Sequence, residues 1–245
     1  MATISDELPA VEQEAAPVKG RWRNLVTLAF AGIVDAGEDQ AMASMFPAIR
    51  VSLNMTTANL GTITSLGKVM EMVFGPIWGM LADRFSRKRI LIIGTGLWGL
   101  WTLLIGFSAS YQMLLTLRII AAIGLVALGA PMNSMLTDLF PQKERGKVFG
   151  LLRMISSLAV IVSIIFFGRM AEIPERGWRI GFITFGALSM LSGVFFALFL
   201  TEPPRGAAEK TLSGIAEVSD ARFHFSLKNV LSIFRVPTNV LLILK

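Results

Sequence analysis

Six long apolar segments constrain the fold of this chain more than any other feature of its sequence. They occupy residues 24–46, 59–82, 90–109, 113–139, 148–171 and 179–200. Each supplies the ~20 residues that an α-helix needs to cross the hydrocarbon core of a bilayer. Because lipid offers the backbone no hydrogen-bond partners, segments of this kind cross it as helices. The sequence therefore predicts an all-α integral membrane protein with six transmembrane helices.

The charged residues are too few for a soluble domain. They make up 16% of the 245 residues, against ~25% in typical soluble domains. The net charge of +6 is also compatible with nucleic-acid binding, but the cations lie in short segments between apolar runs and form no continuous basic face. We therefore expect the lipid bilayer as a partner, and no nucleic acid.

The same short segments predict the orientation of the chain. Lys and Arg are concentrated at 83–89 and 140–147, and basic segments between spans stay on the cytoplasmic side. Residues 1–20 are acidic and lack the basic start and early apolar core of a signal peptide. We expect a multi-pass protein of the inner or plasma membrane with both ends in the cytoplasm.

The sequence offers little material for catalysis. It has no Cys, and its single His, His224, lies in a polar segment, so metal sites and triads built on these residues are not expected. The Gly-x-Gly-x-x-Gly pattern at 94–99 lies within an apolar segment, where small residues let helices approach closely rather than bind a dinucleotide. Gly75 and Gly79 fit the same packing pattern. We predict no enzymatic activity, no metal and no cofactor.

Ionisable residues inside the apolar segments point to a functional site. Each costs ~2.5–3.5 kcal/mol at the bilayer centre unless it is paired or hydrated. Spacings of three and four place three acids of the first segment on one helix face. The second segment adds a cation and an acid one turn apart, and the fourth adds an arginine. In chain order these residues are Asp35, Glu38, Asp39, Lys68, Glu71 and Arg118.

The depth of each side chain follows from ~1.5 Å per helical residue through a ~30 Å core. Asp35 and Lys68 both lie roughly 16 Å from the inner face, and Asp39 and Arg118 roughly 22 Å. We therefore expect Asp35 beside Lys68, and Asp39 or Glu38 beside Arg118. Four acids face two cations, which leaves one carboxylate under-compensated, as a proton carrier requires. Salt bridges that only specify helix packing are the alternative interpretation.

Two motifs resemble those of the major facilitator superfamily of transporters. The segment Gly79-Met-Leu-Ala-Asp-Arg-Phe-Ser-Arg-Lys-Arg89 is similar to the connection between the second and third helices of that family. Residues 117–131 resemble the fourth helix of proton-coupled members, whose arginine, Arg118 here, faces a central cavity. A weaker resemblance to the spinster-like branch, which handles lysophospholipids and related amphiphiles, departs from it at Leu125, where that branch has a glutamate.

The resemblance implies the fold and the domain organisation. Members have two six-helix halves, each built as 3+3 inverted repeats, joined by a cytoplasmic segment. In this chain, residues 1–20 would be a disordered cytoplasmic leader, 21–200 the N-terminal six-helix bundle, and 201–245 the linker and the start of a seventh span. The second six-helix half would be a missing C-terminal half or, in a homodimer, a second copy.

The resemblance also implies a function: proton-coupled secondary transport of a small organic solute or amphiphile by alternating access. The six ionisable residues would line the cavity. On the cytoplasmic side we expect a gate in which Asp83 caps a helix end and pins Arg87; its residues are Gly79, Asp83, Arg84, Arg87, Asp138 and Arg145. The alternative is a half-facilitator that does not transport and serves as a partner or assembly factor.

Overall fold

Six long helices form the part of the chain that the structure, a computed structural model, describes: residues 18–208. They are α1 (Arg21–Ser52), α2 (Thr57–Arg84), α3 (Arg87–Ile105), α4 (Tyr111–Leu139), α5 (Gln142–Ala171) and α6 (Gly177–Phe199). Each helix coincides with one of the six predicted segments, which confirms the all-α prediction. The expected leader, up to residue 17, and the expected linker and seventh span, from residue 209, lie outside the described residues.

The helices differ in how apolar they are. By length and composition, α3, α4, α5 and α6 are each able to cross a membrane. The first two helices are longer than the ~20 residues a span needs, at 32 residues for α1 and 28 for α2. Their ionisable residues lower their hydropathy, and this sets them apart from the other four.

The helices α3 and α4 are interrupted near their middles. In α3 the stretch Ile92–Leu97 is a π-helix, in which the Trp98 N–H donates to the Ile93 carbonyl at 3.1 Å. In α4 the regular helix ends at Leu125 and resumes at Gly129. Irregular backbone of this kind inside a helical bundle is frequently associated with a functional site.

The packing pattern repeats after three helices. The helix α1 packs on α5 and α6, α2 packs on α4, and α3 packs on both α4 and α6. Exchanging α1, α2 and α3 for α4, α5 and α6 converts four of these pairs into one another and leaves the pair of α3 and α6 unchanged. Trp22 at the start of α1 stacks on Phe140 directly after α4, with 5.6 Å between ring centroids, so α1 and α4 run in opposite directions. This is the arrangement of a 3+3 inverted repeat.

Glycines bring α3 and α6 into close contact. A Cβ atom on Gly96 would lie 2.5 Å from the Cα of Gly193, and one on Gly99 would lie 2.7 Å from the Cβ of Ser189. Real Cβ atoms do not approach other atoms this closely. The glycine pattern at 94–99 is therefore a helix-packing feature, as predicted.

The corresponding prediction for α2 is wrong. A Cβ atom on Gly75 would meet nothing within 4 Å, and one on Gly79 would meet only the Cβ of Ala130, at 3.9 Å. Among the described residues, no helix approaches α2 closely enough at these positions to require glycine. The spacing of small residues identifies where helices are able to approach, but not which neighbour arrives there.

The two predicted basic loops are mostly helical, which corrects the sequence interpretation. Asp83 and Arg84 end α2, and only Phe85 and Ser86 separate them from α3. The Ser86 hydroxyl accepts a hydrogen bond from the Arg89 N–H and so caps α3. In the second segment only residues 140–141 lie outside α4 and α5. Polar residues at the ends of these helices extend them beyond the apolar segments by which they were predicted.

We predict that Gly96→Ala lowers the free energy of unfolding by about 1–3 kcal/mol, because the added methyl group overpacks the contact between α3 and α6. The matched control is Gly75→Ala, which has open space and gains up to ~1 kcal/mol of helix propensity. Denaturant titration of both variants in detergent measures the difference. Equal effects of the two substitutions would contradict the close contact.

Candidate functional site

The three acids of α1 lie among two different sets of partners. Glu38 is buried, with 3% of its surface exposed, whereas the side chain of Asp39 is 48% exposed. Asp35 is half-buried between these extremes. Successive helical residues are ~100° apart around the axis, so neighbouring acids on one polar face still point at different helices.

Glu38 lies in the interior of the bundle. The Thr102 hydroxyl of α3 donates a hydrogen bond to its carboxylate, and Ser189 of α6 lies close to it as well. Arg118 of α4 is the neighbouring cation; it is 7% exposed, and its Nη1 atom is buried with no hydrogen-bond partner among the described residues. Glu38 and Arg118 therefore form the buried part of the ionisable cluster. The sequence analysis expected either Glu38 or Asp39 beside Arg118.

Lys68 lies at the exposed part of the cluster. Its Nζ atom donates to Glu71 at 2.8 Å and to Asp39 at 3.4 Å, and the Lys68 side chain is 57% exposed. The predicted pairing of Asp35 with Lys68 is wrong, because Asp39 occupies that position. Rotation about the helix axis, which the depth estimate does not include, decides which acid reaches the cation.

A narrow cleft of about 10 Å³, with room for about one water molecule, lies beside Glu38 and Asp35. Its lining comes from four helices and includes the irregular parts of α3 and α4: Asp35, Glu38, Gly94, Thr95, Trp98, Gly99, Ala121, Gly124, Leu125 and Ser189. The Trp98 indole N–H donates to the Ile120 carbonyl at 2.7 Å, which fixes this ring between α3 and α4. The cleft thus combines two carboxylates with unwound backbone inside the bundle.

Thr102 and Ser189 were not among the predicted site residues. Each is one of three hydroxyl residues in its mostly apolar segment, and the sequence alone gives no signal for which of them faces Glu38. A buried hydroxyl needs a hydrogen-bond partner. Here the Ser189 hydroxyl donates to the Thr95 carbonyl at 3.0 Å, and Thr102 bonds to Glu38.

A second cluster surrounds Arg87 at the basic end of the bundle. Arg87 is 2% exposed. Its guanidinium contacts Asp138 of α4 and donates to the Ser134 hydroxyl at 2.9 Å and to the Pro203 carbonyl at 3.2 Å. The Arg87 Nε atom lies 3.5 Å from Glu202 Oε1. A buried cation with several acceptors is costly to disrupt, because removing one partner leaves charge uncompensated.

Glu202 binds the start of α3. Its carboxylate accepts hydrogen bonds from the Ser86 hydroxyl at 2.5 Å and from the Arg87 N–H at 2.9 Å. Partial burial acts to raise the pKa of Glu202, but these bonds, a further one from the Lys88 N–H, and the charge of Arg87 together hold that pKa below its ordinary value. The carboxylate also complements the positive end of the α3 dipole.

Residues 201–206, which we call the strap, connect four helix ends. Thr201 exchanges two hydrogen bonds with the Asn24 side chain of α1, at 2.7 and 3.0 Å. Arg205 donates to two carbonyls at the end of α2, at 2.5 and 3.1 Å. The Gly206 N–H donates to Asp138 at 2.9 Å. With Glu202 on α3, the strap therefore ties α1, α2, α3 and α4 together.

The structure brings together only some of the predicted gating residues. The expectation that Asp83 pins Arg87 is wrong: Asp138 and Glu202 are the carboxylates at Arg87, and Asp83 is exposed at the end of α2. Arg145 donates to the carbonyls of Thr137 and Phe140, at 2.8 and 3.1 Å, and so satisfies the end of α4.

The other two predicted gating residues lie apart from this cluster. Arg84 lies over the Phe85 ring, 5.9 Å from its centroid, and Gly79 makes no close contact. Sequence reasoning missed Glu202 and Arg205, although the Glu-Pro-Pro-Arg segment directly after the last apolar run could have indicated them.

The chain is similar to known membrane transporters. A probable sulfoacetate transporter from Cupriavidus necator is 28% identical over 174 residues, which is 70% of this chain and 40% of the relative. Protein spinster from Drosophila melanogaster is 24% identical over 191 residues, which is 78% of this chain and 31% of the relative.

The fold is also similar to that of a solved structure. A bacterial homologue of the human lysosomal transporter Spinster, in an inward-facing and occupied conformation, superimposes with a TM-score of 0.73 at 24% identity, over 79% of this chain and 47% of that one. The chain thus spans half or less of the length of these proteins. A sequence model of the Major Facilitator Superfamily matches residues 28–244, and the chain belongs to this superfamily of membrane transporters.

Proposed function

We propose that this chain is the six-helix N-terminal half of a proton-coupled secondary transporter that moves a small organic solute or amphiphile by alternating access. The observation that carries the proposal is Glu38, buried in the bundle with a hydrogen bond from Thr102 and with the buried cation Arg118 nearby. The spans of the half would include α1 and α2, whose exposed charges would face the second half rather than lipid.

The energetic cost of these charges supports a functional role. An ionisable residue inside a span costs ~2.5–3.5 kcal/mol unless it is compensated. Packing alone would favour a fully paired and saturated set, but one buried nitrogen of Arg118 has no partner among the described residues. A guanidinium with an N–H that no described residue accepts is suited to an anionic group of a solute. The similarity to a protein named as a probable sulfoacetate transporter agrees with this choice.

Proton coupling would follow from competition for Arg118. While Glu38 is ionised, its charge attracts the guanidinium and holds α1 towards α4. When Glu38 takes up a proton, this attraction is lost and Arg118 becomes available to the solute. Protonation thereby shifts the balance between inward-open and outward-open states, provided that the two states differ in the distance between these helices. The electrostatic potential at the mouth of the cleft would be set by the other ionisable residues, Asp35, Asp39, Lys68 and Glu71.

The strap, together with the cluster around Arg87, would form the cytoplasmic gate. By the distribution of basic residues, the end of the bundle that carries Arg87 faces the cytoplasm. Interactions of Arg87 with Asp138 and Glu202 would stabilise one of the two alternating states on that side. The bundle would rock against a second six-helix half, contributed by a longer protein or by a second copy of this chain, with the solute bound between the two halves.

We predict that Glu38→Gln abolishes solute-driven proton movement while leaving the fold intact, because the amide is close in shape to the carboxyl group and keeps the bond with Thr102 but cannot exchange a proton. Proton movement is measured with a pH-sensitive dye inside liposomes that contain the full chain. If two copies of the chain do not pair, the second half is co-purified as a separate chain. Sulfoacetate and a lysophospholipid serve as the two solute probes.

The matched control for this experiment is Glu172→Gln, since Glu172 forms an exposed pair with Arg169 outside the cleft. It should leave proton movement unchanged. Proton movement that survives in both Glu38→Gln and Arg118→Gln would contradict the assignment. A paired, folded assembly that moves neither solute nor protons would instead favour the non-transporting partner.

We predict that Glu202→Gln lowers the free energy of unfolding at neutral pH by about 1–2 kcal/mol, since bonds to a charged group contribute ~1.5–3 kcal/mol and Glu202 is partly exposed. A carboxylate with a lowered pKa contributes stability above its unfolded-state pKa and loses it as the pH falls towards the folded-state pKa. The difference between wild type and variant should therefore be constant above about pH 5 and shrink below the ordinary pKa of 4.5.

Denaturant titrations from pH 7 to pH 3 measure this difference, with Glu172→Gln as the control for a surface ion pair. If Glu202→Gln and Glu172→Gln change the free energy of unfolding equally at every pH, Glu202 contributes no more stability than a surface ion pair. A gate role additionally requires that Glu202→Gln change the accessibility of a cysteine introduced beside the strap, whereas a purely structural role would not.

A further inference from the structure

An apolar groove with a basic rim runs along the outside of the bundle, away from the cleft. It lies between the first turns of α1 and the last turns of α6, with a volume of about 510 Å³. This volume falls within the ~300–1,000 Å³ of typical ligand pockets. Its lining residues are Trp22, Arg23, Val26, Thr27, Phe30, Phe195 and Phe199.

The apolar residues that line the groove recur at helical spacing. Trp22, Val26 and Phe30 follow one another at intervals of four on α1, and Phe195 and Phe199 do the same on α6. Phe30 and Phe195 close the deep end, with 5.0 Å between ring centroids. From Trp22 to Phe30 the groove extends ~12 Å along α1, close to the ~15 Å depth of one leaflet of the hydrocarbon core.

The groove is open to its surroundings. Val26 is 70% exposed, Trp22 57% and Phe199 46%. An aromatic residue next to an arginine at the start of a membrane helix is typical of the interface between lipid headgroups and hydrocarbon. The groove therefore begins at headgroup level and continues into the depth of the acyl chains.

Arg23 provides the rim with a charge that no described residue neutralises. Its guanidinium donates to the Thr201 hydroxyl at 2.6 Å, and among the described residues it forms no ion pair. The neighbouring Arg21 differs, because it is paired with Glu144 at 2.9 Å. A guanidinium has five N–H donors, so most of those on Arg23 are available to a phosphate, which this group binds in a bidentate manner.

We propose that this groove is a binding site for an anionic phospholipid of the leaflet on the basic side. One acyl chain lies along Val26 and Phe30 against the phenylalanines of α6, and the phosphate is bound by Arg23. Apolar walls of leaflet depth fit the chain, and the unpaired cation at headgroup level fits the phosphate. The site is separate from the cleft and does not depend on the transport function.

The test is native mass spectrometry of the full chain in detergent, titrated with phosphatidylglycerol or with phosphatidylcholine of the same acyl chains. Wild type should bind phosphatidylglycerol more tightly. Arg23→Gln should weaken phosphatidylglycerol binding about fivefold, which corresponds to the loss of one interfacial charge interaction, and should leave phosphatidylcholine binding unchanged. The matched control Arg89→Gln removes an exposed charge at the same end of the bundle and should have no effect.

A second variant tests the groove itself. Val26→Trp fills the groove at an exposed position, so the fold is retained, and it should weaken binding of both lipids. Glycerol 3-phosphate, which lacks acyl chains, should not displace phosphatidylglycerol.

Three results would overturn the proposal. Equal losses in Arg23→Gln and Arg89→Gln would indicate unspecific surface charge. Unchanged binding in Val26→Trp would exclude the groove. Displacement by glycerol 3-phosphate would indicate that the site binds the phosphate alone and does not require acyl chains.

Discussion

The close contact between α3 and α6 is the interaction on which the arrangement of the cleft depends. Because Gly96 meets Gly193 without intervening side chains, the two helices approach backbone to backbone. A Cβ atom on Gly186 would lie 2.4 Å from the Leu103 nitrogen, so the contact continues along both helices. This approach places Thr102 of α3 and Ser189 of α6 beside Glu38. Without hydrophobic driving force between helices in lipid, small residues and such hydroxyls are what hold spans together.

The helix α1 is placed against this pair by the same means. A Cβ atom on Gly37 would lie 2.3 Å from the Phe185 ring of α6 and 2.5 Å from the Ser163 hydroxyl of α5. Glu38, the next residue, is thereby carried into the interior, where its charge is stabilised by Thr102 and by the nearby Arg118. The irregular parts of α3 and α4 lie next to it. Close glycine packing and irregular helix geometry thus meet around Glu38 and keep its carboxylate in the interior of the bundle.

At the basic end of the bundle, polar side chains satisfy backbone groups at the ends of the helices. Four helix ends lie there, and each presents unsatisfied backbone groups. The strap supplies the missing partners: Glu202 for the first N–H groups of α3 and Arg205 for the last carbonyls of α2. Glu202 also brings negative charge to the cluster at Arg87. If this cluster is the proposed gate, stability and gating rest on the same few contacts, and a change in one is expected to alter the other.

The sequence by itself determined the six helices, their order and most of their boundaries, because helix length in lipid and hydrophobic composition are properties of each segment alone. It also indicated that Glu38 and Arg118 are among the ionisable residues of the bundle, both of which are buried, and that glycines at 94–99 serve packing. The tertiary structure alone decided that Asp39 and not Asp35 meets Lys68, and that Glu202 and not Asp83 meets Arg87. The first outcome depends on rotation about the helix axis, which depth does not specify. The second joins residues 115 positions apart in the chain, a contact that exists only after all six helices have packed.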